Sequence, residues 1–216
     1  SVSGIVERRH TLPILSNVLL EKRGDKLSLL ATDIEIQITT ATDVAAGEGD
    51  GAVTVGARKL QDILRSLSDN AEVSLMLEDK RLQVRAGESR FSLQTLPADD
   101  FPRMTLAEGE TRQFQLTQKA FRQLLAKTQY AMAAQDVRYY LNGLLLLTEG
   151  KELRAVATDG HRLAFASVEI DADLPRQELI LPRKTVLELN RLLADNDEPL
   201  AITLAPNQVR FAFGSV

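Results

Sequence analysis

The 216-residue sequence has no cysteine and only two histidines, His10 and His161. Disulfides, a thiol nucleophile and thiolate metal sites are thereby excluded, and little remains for a histidine-based metal centre. Long apolar runs are also missing. The longest purely aliphatic stretch, Leu144 to Leu147, falls far short of the roughly 20 residues of a bilayer-spanning helix, and no basic segment leads into an apolar one at the N-terminus. No G-x-G-x-x-G occurs and no glycine cluster precedes a Lys-Ser/Thr pair, which argues against a nucleotide-using enzyme. An excess of basic residues is absent as well: 26 Lys and Arg stand against 30 Asp and Glu, a net charge of −4. A uniformly basic nucleic-acid-binding surface is ruled out, so any such role rests on local charge. The expectation is a soluble cytoplasmic chain without metal or cofactor. With 44% hydrophobic and 26% charged residues it has ordinary globular composition, and at about 150 residues per domain its length lies between one and two domains.

What the sequence does contain is a long internal repeat. LSLLATD (Leu27 to Asp33) returns as LRAVATD (Leu153 to Asp159), 126 positions on. In the same register Val18, Leu19, Leu20 and Gly24 fall on Leu144, Leu145, Leu146 and Gly150. Arg58-Lys59 matches Arg183-Lys184 at 125, and KRLQVRAG (Lys80 to Gly87) matches NQVRFAFG (Asn207 to Gly214) at 127. Four blocks in one order at nearly constant spacing describe two copies of a domain. Subtracting 126 puts the counterpart of QFQLT (Gln113 to Thr117) and of most of the following helix before Ser1, while the counterpart of Ser89 to Leu96 falls after Val216. The expectation is a fragment: residues 1–108 a first domain without its opening strand and most of its first helix, residues 109–216 a second without its last strand. The boundary falls near Pro97 to Glu110, where prolines and acids interrupt the pattern.

Short alternating β-rich runs predict strands at Asn17 to Glu21, Lys26 to Ala31, Glu35 to Thr40, Val53 to Val55, Glu72 to Leu77, Arg81 to Ala86 and Phe91 to Leu96. Helical spacing predicts helices at Arg58 to Leu67, at Thr117 to Tyr130 with Thr117 as N-cap, and at Arg183 to Leu193. Each domain is then mostly antiparallel strands with two helices, an α+β fold.

Asp159-Gly160-His161-Arg162 is the most chemically suggestive cluster, and Ser167 stands nearby as a conceivable nucleophile. The repeat keeps the aspartate as Asp33 but has no His or Arg beside it, so Asp33 and Asp159 read as a shared turn device. His161, Arg162 and Leu163 belong to the second copy alone, and His161 and Arg162 read either as part of a binding site or as a solvated surface pair. Asp99 and Asp100 sit in the linker with no third ligand nearby. The helices carry a stronger signal. The three have net charges of +2, +3 and +2 in a chain of −4, which concentrates positive charge on equivalent helices of an otherwise acidic molecule. Contacts of Arg and Lys to phosphate position a duplex without reading its sequence.

HTLPILSN (His10 to Asn17), TLPADDFP, QDVRYYLNG (Gln135 to Gly143), ATDGHRLA and the PRK helix start closely resemble the bacterial DNA polymerase III beta subunit, or sliding clamp, family over essentially the whole chain. The resemblance implies tandem DNA-clamp-type domains with antiparallel sheets outside and two helices per domain on the inner face. It implies a non-catalytic processivity factor of three similar domains. Two such subunits close head to tail around double-stranded DNA, independent of sequence. It puts Arg9, Arg58, Lys59, Gln135, Arg183 and Lys184 on the DNA-facing side. Leu141, Thr158, Gly160, His161, Arg162 and Leu163 fall in the pocket for short linear motifs of polymerase, clamp loader and repair proteins, a pocket completed in the family by the third domain. Arg90, Phe91 and Leu93 fall on the first-domain edge strand of the dimer interface. Two other classes stay open: a hydrolase or metal enzyme using Asp159 and His161, and a structural tandem domain whose basic helices are solvated faces.

Overall fold

The structure, a computed structural model, describes residues 2–6, 12–45, 47 and 49–216. The chain folds as two compact units, Ser1–Met104 and Thr105–Val216.

Unit 1 is built from hairpins. Strands β1 (Asn17–Arg23) and β2 (Lys26–Thr32) join through Gly24, whose φ of +58° is the left-handed conformation that glycine adopts without steric cost. β3 (Gln37–Asp43) and β4 (Gly51–Gly56) follow, then helix α1 (Ala57–Ser66), and β5 (Ser74–Glu78), β6 (Arg81–Ala86) and β7 (Ser89–Pro97). They form one antiparallel sheet in the order β3-β2-β1-β4-β7-β6-β5. Asp79 and Lys80 both have positive φ, the requirement of the two-residue turn that matches strand twist between β5 and β6. Ala57 and Leu60 bury one face of α1, leaving Arg58, Lys59 and Asp62 exposed. The segment after β7 returns over β1. Phe101 is buried against Leu19 and Leu30, and Arg103 reaches Glu21 at 3.2 Å. With Arg23 adding a second ion pair, Arg103 holds the Glu21 carboxyl below its ordinary pKa.

Unit 2 opens with β8 (Arg112–Thr117) and helix α2 (Gln118–Ala126). The long strands β9 (Gly143–Thr158) and β10 (Leu163–Pro182) pair antiparallel with register breaks between Glu169 and Leu174 and between Leu174 and Gln177. Helix α3 (Arg183–Leu192), β11 (Pro199–Leu204) and β12 (Val209–Ala212) complete it, with a second sheet ordered β12-β11-β8. One core cluster unites Phe114, Phe121, Leu124, Leu144, Leu153 and Ile202. Phe121 meets Phe211 with ring centroids 5.4 Å apart.

The repeat is visible in the backbone: Gly24 and Gly150 have φ of +58° and +60°, Gly87 and Gly214 of +57° and +53°. Several predicted boundaries shift, among them the Glu72 strand, which begins at Ser74, and two of the shifts have a local cause. The Glu35 strand begins instead at Gln37, because residues 33–36 form a turn described below. The Thr117 N-cap is present, its hydroxyl accepting the Ala120 N–H at 3.1 Å, but α2 ends at Ala126 and not at Tyr130. The cause is Thr128, whose buried hydroxyl donates to the Leu124 carbonyl at 3.0 Å; the chain turns there into a 3-10 segment, Gln129–Ala131.

These contacts set an order of stability losses. Thr117→Ala should cost about 1 kcal/mol, the usual worth of an N-cap hydroxyl. Gly143→Ala should cost more, about 1–3 kcal/mol, because the new Cβ would lie 2.5 Å from the Leu181 carbonyl oxygen, which belongs to the paired strand. Urea unfolding of both variants checks the order, and equal midpoints for Gly143→Ala and the parent would contradict the close approach.

Candidate functional site

The ribbon of β9 and β10 closes on the pair Thr158 and Leu163, leaving a four-residue turn, Asp159-Gly160-His161-Arg162. Asp159 Oδ1 accepts the backbone N–H groups of His161 (3.0 Å) and Arg162 (3.1 Å), while Thr158 Oγ1 accepts from Gly160 N–H (3.1 Å) and donates to the Arg162 carbonyl (2.7 Å). Unit 1 repeats this turn bond for bond. Asp33 Oδ1 accepts from Glu35 and Ile36 N–H, and Thr32 Oγ1 accepts from Ile34 N–H and donates to the Ile36 carbonyl. The second residue of each turn has positive φ, +88° at Gly160 and +81° at Ile34. A β-branched residue is strained there, a glycine is not.

This bonding decides what Asp159 can do. Two backbone donors, with the Arg162 Nε at 2.9 Å, hold its carboxyl at a pKa of about 2. It is anchored as a carboxylate, and it meets the backbone of His161, not the imidazole, in every bond described. Ser167 lies four residues beyond Leu163 on β10, roughly 13 Å along an extended strand. The geometry does not assemble a nucleophile, base and orienting acid. Among the described residues no group of three His, Asp or Glu is placed to hold a metal ion.

Beside the turn lies the loop that follows α2. Asn142 closes it from both ends, accepting the Asp136 N–H at 2.8 Å and donating to the Asp136 carbonyl at 2.7 Å. The Asp136 carboxylate takes a two-pronged contact from Arg138, at 2.9 and 2.8 Å, which holds its pKa at about 2. The same guanidinium lies against the turn: a Cβ at Gly160 would stand 3.2 Å from Arg138 Nη2. Arg138 is the residue that sequence reasoning missed. Its D-x-R spacing with Asn six after the aspartate is a signal only once the loop is known to double back. Leu141 is buried beneath, its carbonyl taken by Ala133 N–H. His161, Arg162 and Leu163 are exposed, and Phe165, also missed, shares the outward face of β10 with Leu163. Val137, Tyr139 and Tyr140 are exposed on the loop, the two rings edge to face at 5.7 Å.

The basic residues divide by setting. Arg58 and Lys59 are exposed at the start of α1, whereas Arg183 and Lys184 at the start of α3 are half-buried. Arg183 Nη1 donates to the Met132 carbonyl at 3.2 Å and its N–H to that of Asn142, fastening both ends of the Gln135 loop to α3. Gln135 itself is exposed. Neither helix has an acid in its first turn or a side-chain cap, so each begins with two cations at the positive end of its dipole. That placement is unfavourable in isolation and favours an external anion. Arg9 lies outside the described residues. Arg90, Phe91 and Leu93 lie on β7, exposed, half-buried and buried in turn. β4 pairs with β7 only at Thr95–Pro97, so over Ser89–Gln94 the described strands border β7 on the β6 side alone.

Family models decide the relationship. The DNA polymerase III beta subunit N-terminal domain matches residues 1–105, and the central domain of the same subunit matches residues 115–216. The chain belongs to the DNA polymerase III beta subunit family. It is 48% identical over 213 residues to the beta sliding clamp of Escherichia coli K12 and 48% over 217 residues to that of Pseudomonas aeruginosa, covering 99% of this chain in each case. It spans 58% of the length of these curated relatives. The crystal structure of the P. aeruginosa subunit superposes with a TM-score of 0.93 at 46% identity, over 99% of this chain and 58% of that one. The Caulobacter crescentus beta subunit gives 0.90 at 40%, over 99% and 59%. Tandem clamp domains of antiparallel sheet with short helices are therefore this chain's fold, and no helix among the described residues is long and apolar enough to cross a membrane.

In this clamp-family chain the two anchored carboxylates make an acid titration informative. Both have folded pKa values of about 2, below the ordinary 3.8, so their contribution is present above about pH 4 and is lost as pH falls through 2. Carbon-detected NMR of the Asp136 and Asp159 carboxyls should give midpoints near 2. Midpoints near 4 would show that the two turns are not held by these groups.

Proposed function

We propose that this chain works as part of a DNA sliding clamp, a non-catalytic processivity subunit that encircles duplex DNA and tethers the replicative polymerase. The observation that carries this reading is the succession of the family's N-terminal and central domains through one chain, at 48% identity to curated beta sliding clamps. The paired cations at the equivalent starts of α1 and α3 support it. In this reading residues 1–108 and 109–216 are the first two clamp domains, and subunits join head to tail as a homodimer through the β7 stretch of Arg90, Phe91 and Leu93. Arg9, Arg58, Lys59, Gln135, Arg183 and Lys184 meet phosphates. Leu141, Thr158, Gly160, His161, Arg162 and Leu163 receive short linear motifs of polymerase, clamp loader and repair proteins, with Arg138 setting the shape of that surface from behind Gly160. No cofactor is needed, and the setting is the bacterial cytoplasm.

A sliding protein has to hold DNA weakly and without regard to sequence. Each neutralised phosphate contributes about −0.9 to the log–log dependence of affinity on salt, so the four helix-start cations account for a slope of at most about −3.6. Anisotropy of a labelled duplex titrated with the chain at several salt concentrations should show such a shallow slope, equal for unrelated sequences. Reversing Arg58 and Lys59 to Glu is the clean variant, since both side chains are exposed. It should reduce the slope by about 1.8 and weaken binding at low salt. Undiminished affinity in that variant would remove α1 from the interface.

A further inference from the structure

An asparagine followed by glycine is the dipeptide most open to succinimide formation, because glycine has no Cβ to shield the main-chain nitrogen that attacks. The chain holds one such pair, Asn142-Gly143; its other asparagines, Asn17, Asn70, Asn190, Asn196 and Asn207, precede residues that carry side chains. Two Asp-Gly pairs, Asp50-Gly51 and Asp159-Gly160, can cyclise in the same sense but begin from a carboxylate, whose charge repels the attacking nitrogen. At Asp159 the carboxyl is kept ionised, and the Gly160 N–H is given to Thr158 Oγ1 at 3.1 Å. Asn142 has a neutral amide and no such electrostatic protection. Its protection is conformational.

With ψ of +36° at Asn142, the Gly143 nitrogen lies nearly opposite the Asn142 Cβ about the Cα–C bond, so the five-membered ring cannot close until that bond turns through most of a half-circle. The surrounding bonds resist the turn. The Asn142 side chain is latched to the Asp136 N–H and carbonyl at 2.8 and 2.7 Å, its backbone carbonyl accepts the Arg183 N–H at 2.9 Å, and its own N–H donates to the Tyr139 carbonyl at 3.0 Å. Gly143 is pressed against the Leu181 carbonyl, as the 2.5 Å approach of an added Cβ shows. The loop that carries this latch has little else to hold it closed. Val137 and Tyr139 are 99% and 80% exposed, and of residues 137–142 only Leu141 is buried. Segments with so few buried apolar contacts open locally at a free energy well below that of global unfolding.

We propose that Asn142-Gly143 is a modification site gated by opening of the Asp136–Asn142 loop, and that its deamidation unfastens the loop irreversibly. In the open loop the Gly143 nitrogen gives its proton to solvent base and attacks Asn142 Cγ; the Cγ–Nδ2 bond breaks, and Nδ2 leaves as ammonia. Water then opens the succinimide at one or other imide bond, to aspartate or to isoaspartate. Neither product restores the latch. A carboxylate has no donor to replace Nδ2–H, so it sets an oxygen against the Asp136 carbonyl, an unpaired approach of two acceptors. Isoaspartate adds a methylene to the main chain just where Gly143 has no room to shift. The loop that brings Arg138 against Gly160 is then no longer tied at its far end. This inference does not depend on the sliding-clamp reading.

The test incubates the full chain in mildly alkaline buffer, folded and in urea, and follows deamidation and isoaspartate at Asn142 by peptide mapping. The folded chain should react at least about tenfold more slowly than the unfolded one. Arg138→Ala, which removes the contact fixing the Asp136 carboxylate, should speed both deamidation in the folded chain and hydrogen exchange of the Asp136 amide. Asn142→Asp, the product with an unaltered main chain, should exchange the Asp136 and Arg183 amides faster than the parent. The aged parent, separated from unmodified chain by its added negative charge, gives the same reading without relying on how the variant folds. Equal rates in folded and unfolded chain would overturn the gate, as would an Arg138→Ala rate no higher than the parent's. Loop amides as protected in the aged chain as in the fresh one would overturn the unfastening.

Discussion

Helices of nine or ten residues are marginal in water, since nucleating a helix fixes several residues before one hydrogen bond is gained. α1, α2 and α3 persist because each lays a narrow apolar stripe on a sheet face: Leu60 in unit 1, Phe121, Leu124 and Leu125 from α2, Val186 and Leu189 from α3. Burial of a Leu or Phe side chain contributes about 1.5–3 kcal/mol, so a few such residues outweigh poor capping. That margin also permits an otherwise unfavourable placement, a pair of cations at a helix start with no acid to offset them. The sheet face thus stabilises the helices, and the helices in turn present charge.

The same economy governs the turn and the loop beside it. Asp159 and Asp136 spend their charge on backbone N–H groups and on one arginine each, so neither is left to act as a base. Rigidity is what they supply. With the turn backbone held by Asp159 and Thr158, the exposed side chains of His161, Arg162 and Leu163 project from a fixed frame.

Much of this was legible in the residues. The displaced motifs located the equivalent turns, the positive-φ glycines and the paired helix starts, because local hydrogen bonding and backbone sterics act over a few residues and leave their mark in sequence. Thr117 announced its helix for the same reason. The end of α2 was not legible: the apolar spacing continues through Thr128, and only the hydroxyl's bond to Leu124 shows that the helix has stopped. Arg138 and Phe165 escaped notice because their importance lies in what crosses from loop to turn and in which strand face is outward. The partial edge of β7 depends on where β4 ends, a fact of pairing that periodicity along one strand does not contain.

Ile34 and Gly160 occupy the same point of the same turn, yet only one of them is suited to it. A glycine adopts that bend without strain, so the corner of unit 2 costs its hairpin little. With isoleucine the same bend is strained. In unit 1 the long pairing from Lys26↔Asp43 to Thr32↔Gln37 and the side-chain bonds of Thr32 and Asp33 have to offset that strain. Two turns that look alike when folded therefore draw differently on the ladders they close.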